Sequence, residues 1–204
     1  MMFMITTMTT KIKSSHAALA FWGNFKKNVF RRNLRRRKRV FIYALLPAVL
    51  FLMCFIAYIA GYRYNLSSSV PKGLWKLHAH EPVYKGDFVA IPPNVNPGME
   101  SGVKNGYFHR NSTLLKLIIA GEGDCVDYDV LNERLTVNGQ PVPFTKIYSA
   151  DSRNNPMPVL SFPITLQRGQ VWLSSEHQGG FDSRYFGPVS LDALIKATPR
   201  WIPE

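Results

Sequence analysis

A lysine inside an apolar run needs either a topological or a chemical reason, and Lys116 is such a residue. It interrupts Leu114-Leu115-Lys116-Leu117-Ile118-Ile119-Ala120, a stretch otherwise apolar enough to be buried on both faces. Two explanations stay open on this segment alone. At a sheet edge the side chain would snorkel to water and discourage strand-to-strand aggregation. Inside a core, desolvation would lower the amine's pKa and leave a neutral general base near pH 7. Such a base requires a nucleophile, and Ser67-Ser68-Ser69-Val70-Pro71-Lys72-Gly73 offers three hydroxyls. Serines ahead of a proline ordinarily mark a solvated turn. Combined with the lysine they would permit acyl chemistry: a serine Oγ attacks a carbonyl carbon, the neutral lysine takes its proton and returns it to the leaving amine, and N–H groups hold the oxyanion.

Other chemistries fit less well. Ser69-Val70-Pro71-Lys72 also matches the Ser-x-x-Lys of penicillin-binding proteins, but Gly73 spoils the helix that motif requires, and the companion Lys-Thr-Gly and Ser-Asp-Asn motifs are missing. Gly121-Glu122-Gly123-Asp124 lacks the Gly-Lys-Ser/Thr of a phosphate loop. Only two cysteines occur, Cys54 and Cys125, with Cys54 inside an apolar run, so no disulfide framework is available within one domain. His16, His78, His80, His109 and His177 do not approach zinc-site spacing. The expectation is a site that uses neither metal nor cofactor.

The elements that must position these groups begin with an anchor. Residues 40–62, VFIYALLPAVLFLMCFIAYIAGY, carry no charge and would span about 34 Å as a helix, enough for a hydrocarbon layer of ~30 Å. Pro47 is tolerable in a lipid-embedded helix. A cleavable signal peptide is the rival reading, but the preceding segment is too long and Tyr58-Ile59-Ala60 lacks the small residue of a cleavage site. The formal charge of +12 suggests nucleic acid only until it is located. Residues 1–39 hold 11 Lys or Arg and no acid, whereas the other 165 carry 14 basic and 13 acidic groups. The run RRNLRRRKR at 31–39 has no aromatic interleaving and abuts the span, so it reads as positive-inside topology with an anionic-lipid contact. No nucleic-acid partner is expected. Residues 1–39 are then a cytoplasmic tail, 40–62 a transmembrane anchor and 63–204 a periplasmic domain.

That domain reads as mainly β. Short apolar runs such as residues 86–91 and 170–173 are bounded by Pro, Gly and Asn clusters. Asn138-Gly139 predicts a type I′ hairpin within residues 135–142. A short helix is expected over Leu191–Ala197, capped by Ser190, and residues 92–112 are expected to form a long surface loop.

Three segments resemble the boxes of type I signal peptidases, particularly the TraF-type conjugative transfer peptidases. Residues 65–75, NLSSSVPKGLW, resemble the nucleophile box that follows the anchor. Residues 116–124, KLIIAGEGD, are similar to the box whose lysine is the general base. Residues 181–189, FDSRYFGPV, are similar to the Asp-Ser-Arg-Tyr-Phe-Gly signature near the C-terminal end. The resemblance spans about residues 40–200 and departs from the pattern at Leu117, Glu122 and Gly180, where Arg, Pro and Ser are usual. Gly180 matters most, because the missing hydroxyl helps orient the lysine in that family; Ser183 or a water is the expected substitute. The resemblance implies a signal-peptidase-like antiparallel β domain behind one N-terminal transmembrane helix, with Ser69 and Lys116 catalytic. It also implies Ser67 and Ser69 as the oxyanion donors. Asp182, Ser183 and Arg184 are expected as structural supports of the site, with Asp182 and Arg184 forming a buried ion pair.

The implied function is a membrane-anchored serine endopeptidase. Its substrate would be a membrane-bound precursor, most naturally the pilin of a conjugative type IV secretion system, with ring closure of the product as one outcome. Expected partners are the precursor, the lipid bilayer and the conjugative transfer machinery. A general signal peptidase acting on Ala-x-Ala leaders and a non-catalytic assembly protein are the competing readings.

Overall fold

The computed structural model describes residues 40–93 and 95–203, together with Lys27, residues 31–33 and residues 36–37. The expected basic tail therefore lies largely outside the described residues. The chain divides into two compact units, Met1–Ala57 and Tyr58–Glu204. Helix α1, Val40–Ile59, is long and apolar enough to cross a membrane, and no residue of its most apolar stretch is buried. Pro47 sits inside it without interrupting it. The helix stops three residues short of the expected end, because Tyr62 already belongs to a strand.

The second unit is built on antiparallel strands. A seven-stranded sheet has the order β1-β2-β11-β3-β4-β9-β10. Its members are β1 Tyr62–Asn65, β2 Gly73–His78, β3 Phe88–Ile91, β4 Leu114–Ala120, β9 Gln170–Ser174, β10 Val189–Ser190 and β11 Ile195–Trp201. A smaller sheet runs β7-β6-β5-β8, from β5 Cys125–Asp129, β6 Arg134–Val137, β7 Gln140–Pro141 and β8 Ile164–Thr165. The β6–β7 hairpin turns on Asn138 and Gly139, both at positive φ (52° and 77°), the two angles a type I′ turn demands.

β4 lies between β3 and β9, with Lys116 opposite Val89 and Leu117 opposite Ser174. The edge-strand explanation for Lys116 is thereby removed. Alternation along β4 sends Leu115 into a core with Val70, Trp75, Ala90 and Ala197. It sends Ile118 into the opposite core with Val89, Ile91, Leu173 and Phe181, and Lys116 shares that second face. A register shift between Ile118 and Ala120 then delivers Ala120 to a third cluster with Val126, Leu135 and Trp172, beneath the small sheet.

Two local expectations fail. Residues 191–197 are not a helix: Leu191–Ala193 is a single 3₁₀ turn, Ser190 makes no side-chain cap, and Ile195 and Lys196 pair with β3 while Lys196 and Ala197 pair with β2. The open ladder between those two strands outweighs a weak helical preference. Nor are residues 92–112 loop throughout, since Met99–Lys104 forms helix α2, with Met99 and Gly102 buried against the aromatic core.

Gly73 joins the serine-rich turn to β2 at φ +144°, and a Cβ there would lie 2.2 Å from the Trp201 carbonyl oxygen. Gly73→Ala is expected to destabilise the protein by about 2–4 kcal/mol through backbone strain and displacement of β11. Urea unfolding of the full chain in detergent checks this; an unchanged midpoint would show that the turn adapts.

Candidate active site

Ser69 sits in the turn between β1 and β2, and that turn is organised by a residue the sequence did not single out. Asn65, buried at the end of β1, donates from Nδ2 to the carbonyls of Ser67 (3.0 Å), Val70 (3.0 Å) and Pro71 (3.2 Å). Its Oδ1 accepts from the Ser67 backbone N–H (3.0 Å) and hydroxyl (2.8 Å). Beneath the turn, Val70 and the fully buried Trp75 anchor the chain, and the Trp75 indole N–H donates to the Pro71 carbonyl at 3.0 Å. A helix, as the Ser-x-x-Lys alternative requires, is absent from this segment. The Ser67 hydroxyl, expected at the oxyanion, is engaged with Asn65.

Lys116 is 2% exposed, and its Nζ lies 2.8 Å from Ser69 Oγ and 2.7 Å from Ser175 Oγ. Burial pushes the amine's pKa down to about 8, with Asp182 working against the shift and Arg184 adding to it. A neutral amine offers two N–H donors and one lone pair. It can donate to Ser175 while its lone pair accepts the Ser69 O–H. The hydroxyl expected from Ser183 is spent elsewhere, since Ser183 Oγ accepts from the Leu173 N–H at 3.0 Å. Ser175 occupies that role geometrically. Nothing in the string Leu173-Ser174-Ser175-Glu176 marks it beforehand, because only the pairing of β9 with β4 brings it to the lysine.

The residues at 182–184 form the support. Asp182, Ser183 and Arg184 are buried completely, with Asp182 as the N-cap of α3, Ser183–Phe186. Asp182 accepts from Arg184 Nε (2.8 Å) and Nη2 (2.9 Å) in a bidentate pair, and from the Ser175 backbone N–H at 2.9 Å. Arg184 also donates to the carbonyls of Lys146, Gln178 and Gly180. The loop after β9 is thus tied down at both ends. The Glu176 N–H donates to the Ser69 carbonyl at 2.8 Å, which joins the serine turn to the same strand end.

Ser69 and Lys116 open into a cleft of about 940 Å³ whose walls include Leu114, Tyr107, Phe108, Tyr148 and Met157. On one side Asp151 accepts from the Asn155 side chain and the Tyr107 hydroxyl, contacts that hold its carboxyl well below the usual range. Among the described residues no group of three or more His, Cys, Asp or Glu converges as a metal site would require.

Comparison with known proteins adds to this geometry. The family described as signal peptidase, peptidase S26, matches residues 34–201. A probable conjugal transfer protein TraF of Sinorhizobium fredii is 33% identical over 146 residues, 68% of this chain and 76% of that protein. A plasmid transfer protein TraF of Escherichia coli is 34% identical over 148 residues, 68% of this chain and 81% of that protein. A crystal structure of a signal peptidase I from Enterococcus faecalis aligns over 56% of this chain and 94% of that one, at 19% identity and a TM-score of 0.33.

The buried amine has a consequence for stability. Its folded pKa of about 8 lies below the ordinary 10.5, so the unfolded chain binds more protons between those values and stability rises with pH across that window. Lys116→Met is expected to gain on the order of 3 kcal/mol at pH 7, an advantage that shrinks from pH 8 to 10.5. Denaturant titrations at pH 7 and 10.5 measure it. No gain at pH 7 would mean that water reaches the amine.

Proposed function

The chain belongs to the peptidase S26 family, the signal peptidases, with the TraF-type conjugal transfer proteins as its relatives, and we propose that Ser69 is its nucleophile and Lys116 its general base. It is a serine peptidase. The observation that carries the dyad is the 2.8 Å approach of a desolvated lysine amine to Ser69 Oγ.

In the proposed cycle the neutral amine takes the Ser69 proton as Oγ bonds to the scissile carbonyl carbon, and the carbonyl electron pair moves to oxygen. Ser67 supplies an oxyanion hydrogen bond by turning its hydroxyl away from Asn65. Collapse of the intermediate breaks the C–N bond, and the Lys116 ammonium returns its proton to the leaving amine. An ester on Ser69 remains. Water releases a linear product; an amine of the same precursor releases a ring, with Lys116 again taking the proton of the attacking group and returning it to Ser69 Oγ.

The substrate proposed is a membrane-associated precursor, and the conjugal transfer relatives point to the pilin of a type IV secretion system. α1 would serve as a single-pass anchor in the inner membrane, with residues 1–39 cytoplasmic and the catalytic unit periplasmic, on the positive-inside rule applied to 31–39. Holding enzyme and precursor in one bilayer raises their effective concentration.

Ser69→Ala is expected to abolish processing of a candidate pilin precursor, read as intact mass in cells with and without the variant; unaltered processing removes Ser69 from the mechanism. Activity needs the unprotonated amine, so the rate should rise with pH through about 8 and level off above it. A flat profile from pH 5 to 10 would count against Lys116 as the base.

A further inference from the structure

Gly180 is a glycine for reasons of space. Its backbone does not adopt a left-handed conformation, and its N–H and carbonyl are already committed, to the His177 carbonyl (3.0 Å) and to Arg184 Nη2 (2.8 Å). A Cβ at this position would lie 2.1 Å from Ser175 Oγ and 2.3 Å from Ser175 Cβ, distances that no side chain tolerates, and 3.1 Å from the His177 carbonyl oxygen. The side chain that fills the space is the one in contact with the lysine, for Ser175 Oγ stands 2.7 Å from Lys116 Nζ.

We infer that Ser175 is the positioning residue for the Lys116 amine and that residues 175 and 180 form a reciprocal pair, in which the hydroxyl facing the amine enters from one position only while the other must be glycine. The inference rests on the proposed dyad and extends it. Ser175 is 2% exposed, and its backbone is fixed by the Asp182 carboxylate at 2.9 Å, so its hydroxyl has little freedom to move. Accepting one N–H of the amine turns the lone pair toward Ser69. With glycine at 175, a serine at 180 would place its Cβ in the vacated volume. Its Oγ, one C–O bond beyond a Cβ that itself lies 2.1 Å from the present hydroxyl, can then approach that spot in the rotamer aimed at the lysine. The Arg184 bond to the Gly180 carbonyl does not depend on that side chain, so the loop is held in either arrangement.

The test uses the full chain in detergent, with p-nitrophenyl acetate as the acylating probe and the burst of nitrophenolate as the readout, recorded against pH. Ser69→Ala comes first: loss of the burst upholds the dyad reading, and a persisting burst overturns that reading whatever residue 175 does. Ser175→Ala keeps the Cβ and deletes only the hydroxyl. It should slow acylation by about ten- to a hundred-fold with little change in thermal midpoint. Gly180→Ser alone should lower both rate and midpoint. The exchange Ser175→Gly with Gly180→Ser should recover to within about three-fold of wild type, with the pH midpoint restored, which a packing role for Ser175 would not produce. The pH profile also reads any disturbance of Asp182 and Arg184, the charged groups that act on the amine. An undiminished burst in Ser175→Ala overturns the positioning role. An exchange no faster than Ser175→Gly alone overturns the reciprocity.

Discussion

Everything in the catalytic unit is arranged around keeping one amine dry. Lys116 sits in an interior strand with β3 and β9 on either side, and on its own face Ile118 and Val89 belong to the larger core. A carboxylate close to such an amine would normally stabilise the ammonium and undo the effect of burial. Asp182 does pull in that direction, and Arg184 opposes it. Because the guanidinium grips the carboxylate through two hydrogen bonds, its charge offsets part of the carboxylate's pull on the lysine. The ion pair therefore allows Asp182 to act as a hydrogen-bond hub without recharging the base. This gives the buried pair a purpose that stability alone would not supply, since such pairs often contribute little net stabilisation.

The hub also explains how groups far apart in the chain meet within hydrogen-bonding distance. The end of β9 carries three attachments in succession: the Leu173 N–H on Ser183, the Ser175 N–H on Asp182, and the Glu176 N–H on the Ser69 carbonyl. The serine turn and the support loop hang from one strand end, and that strand is in register with the lysine's own strand. Asn65 completes the arrangement from the other side by holding the turn through its side-chain amide. Rigid strands with short turns place a nucleophile more reproducibly than a long loop would.

How much of this was legible beforehand follows from the range of the interactions involved. The hairpin at Asn138-Gly139 was readable because its cause is local, two residues that tolerate positive φ. The β character and the anomaly of Lys116 were readable from composition and periodicity. The segment 191–197 reads as helical in isolation because its strand character comes from β2 and β3, more than a hundred residues earlier. α2 reads as loop because a six-residue helix with Gly98 at its start and no side-chain cap leaves only a weak signal, Glu100 in its first turn and Lys104 in its last. The absence of a hydroxyl at Gly180 was visible, yet its remedy was not, because Ser175 reaches the lysine only through strand register. Asn65 escaped notice for a similar reason: an asparagine before a serine string reads as turn composition, and its buried amide gains meaning only once the carbonyls of 67, 70 and 71 close around it.

A dyad with a single base imposes one further requirement. In the proposed mechanism the same amine takes a proton from the nucleophile, gives it to the leaving group, and then repeats both steps when the ester is resolved. A lysine at its ordinary value of 10.5 would be protonated almost always at neutral pH, and one driven down to about 5 would be too weak to accept a hydroxyl proton. The intermediate position near 8 keeps both transfers within reach. Burial is the largest influence on that position, with Asp182 working against it and Arg184 adding to it. The depth at which Lys116 is buried is consequently a catalytic parameter in the proposed mechanism. A deeper core would weaken the base, and a hydrated one would leave it charged.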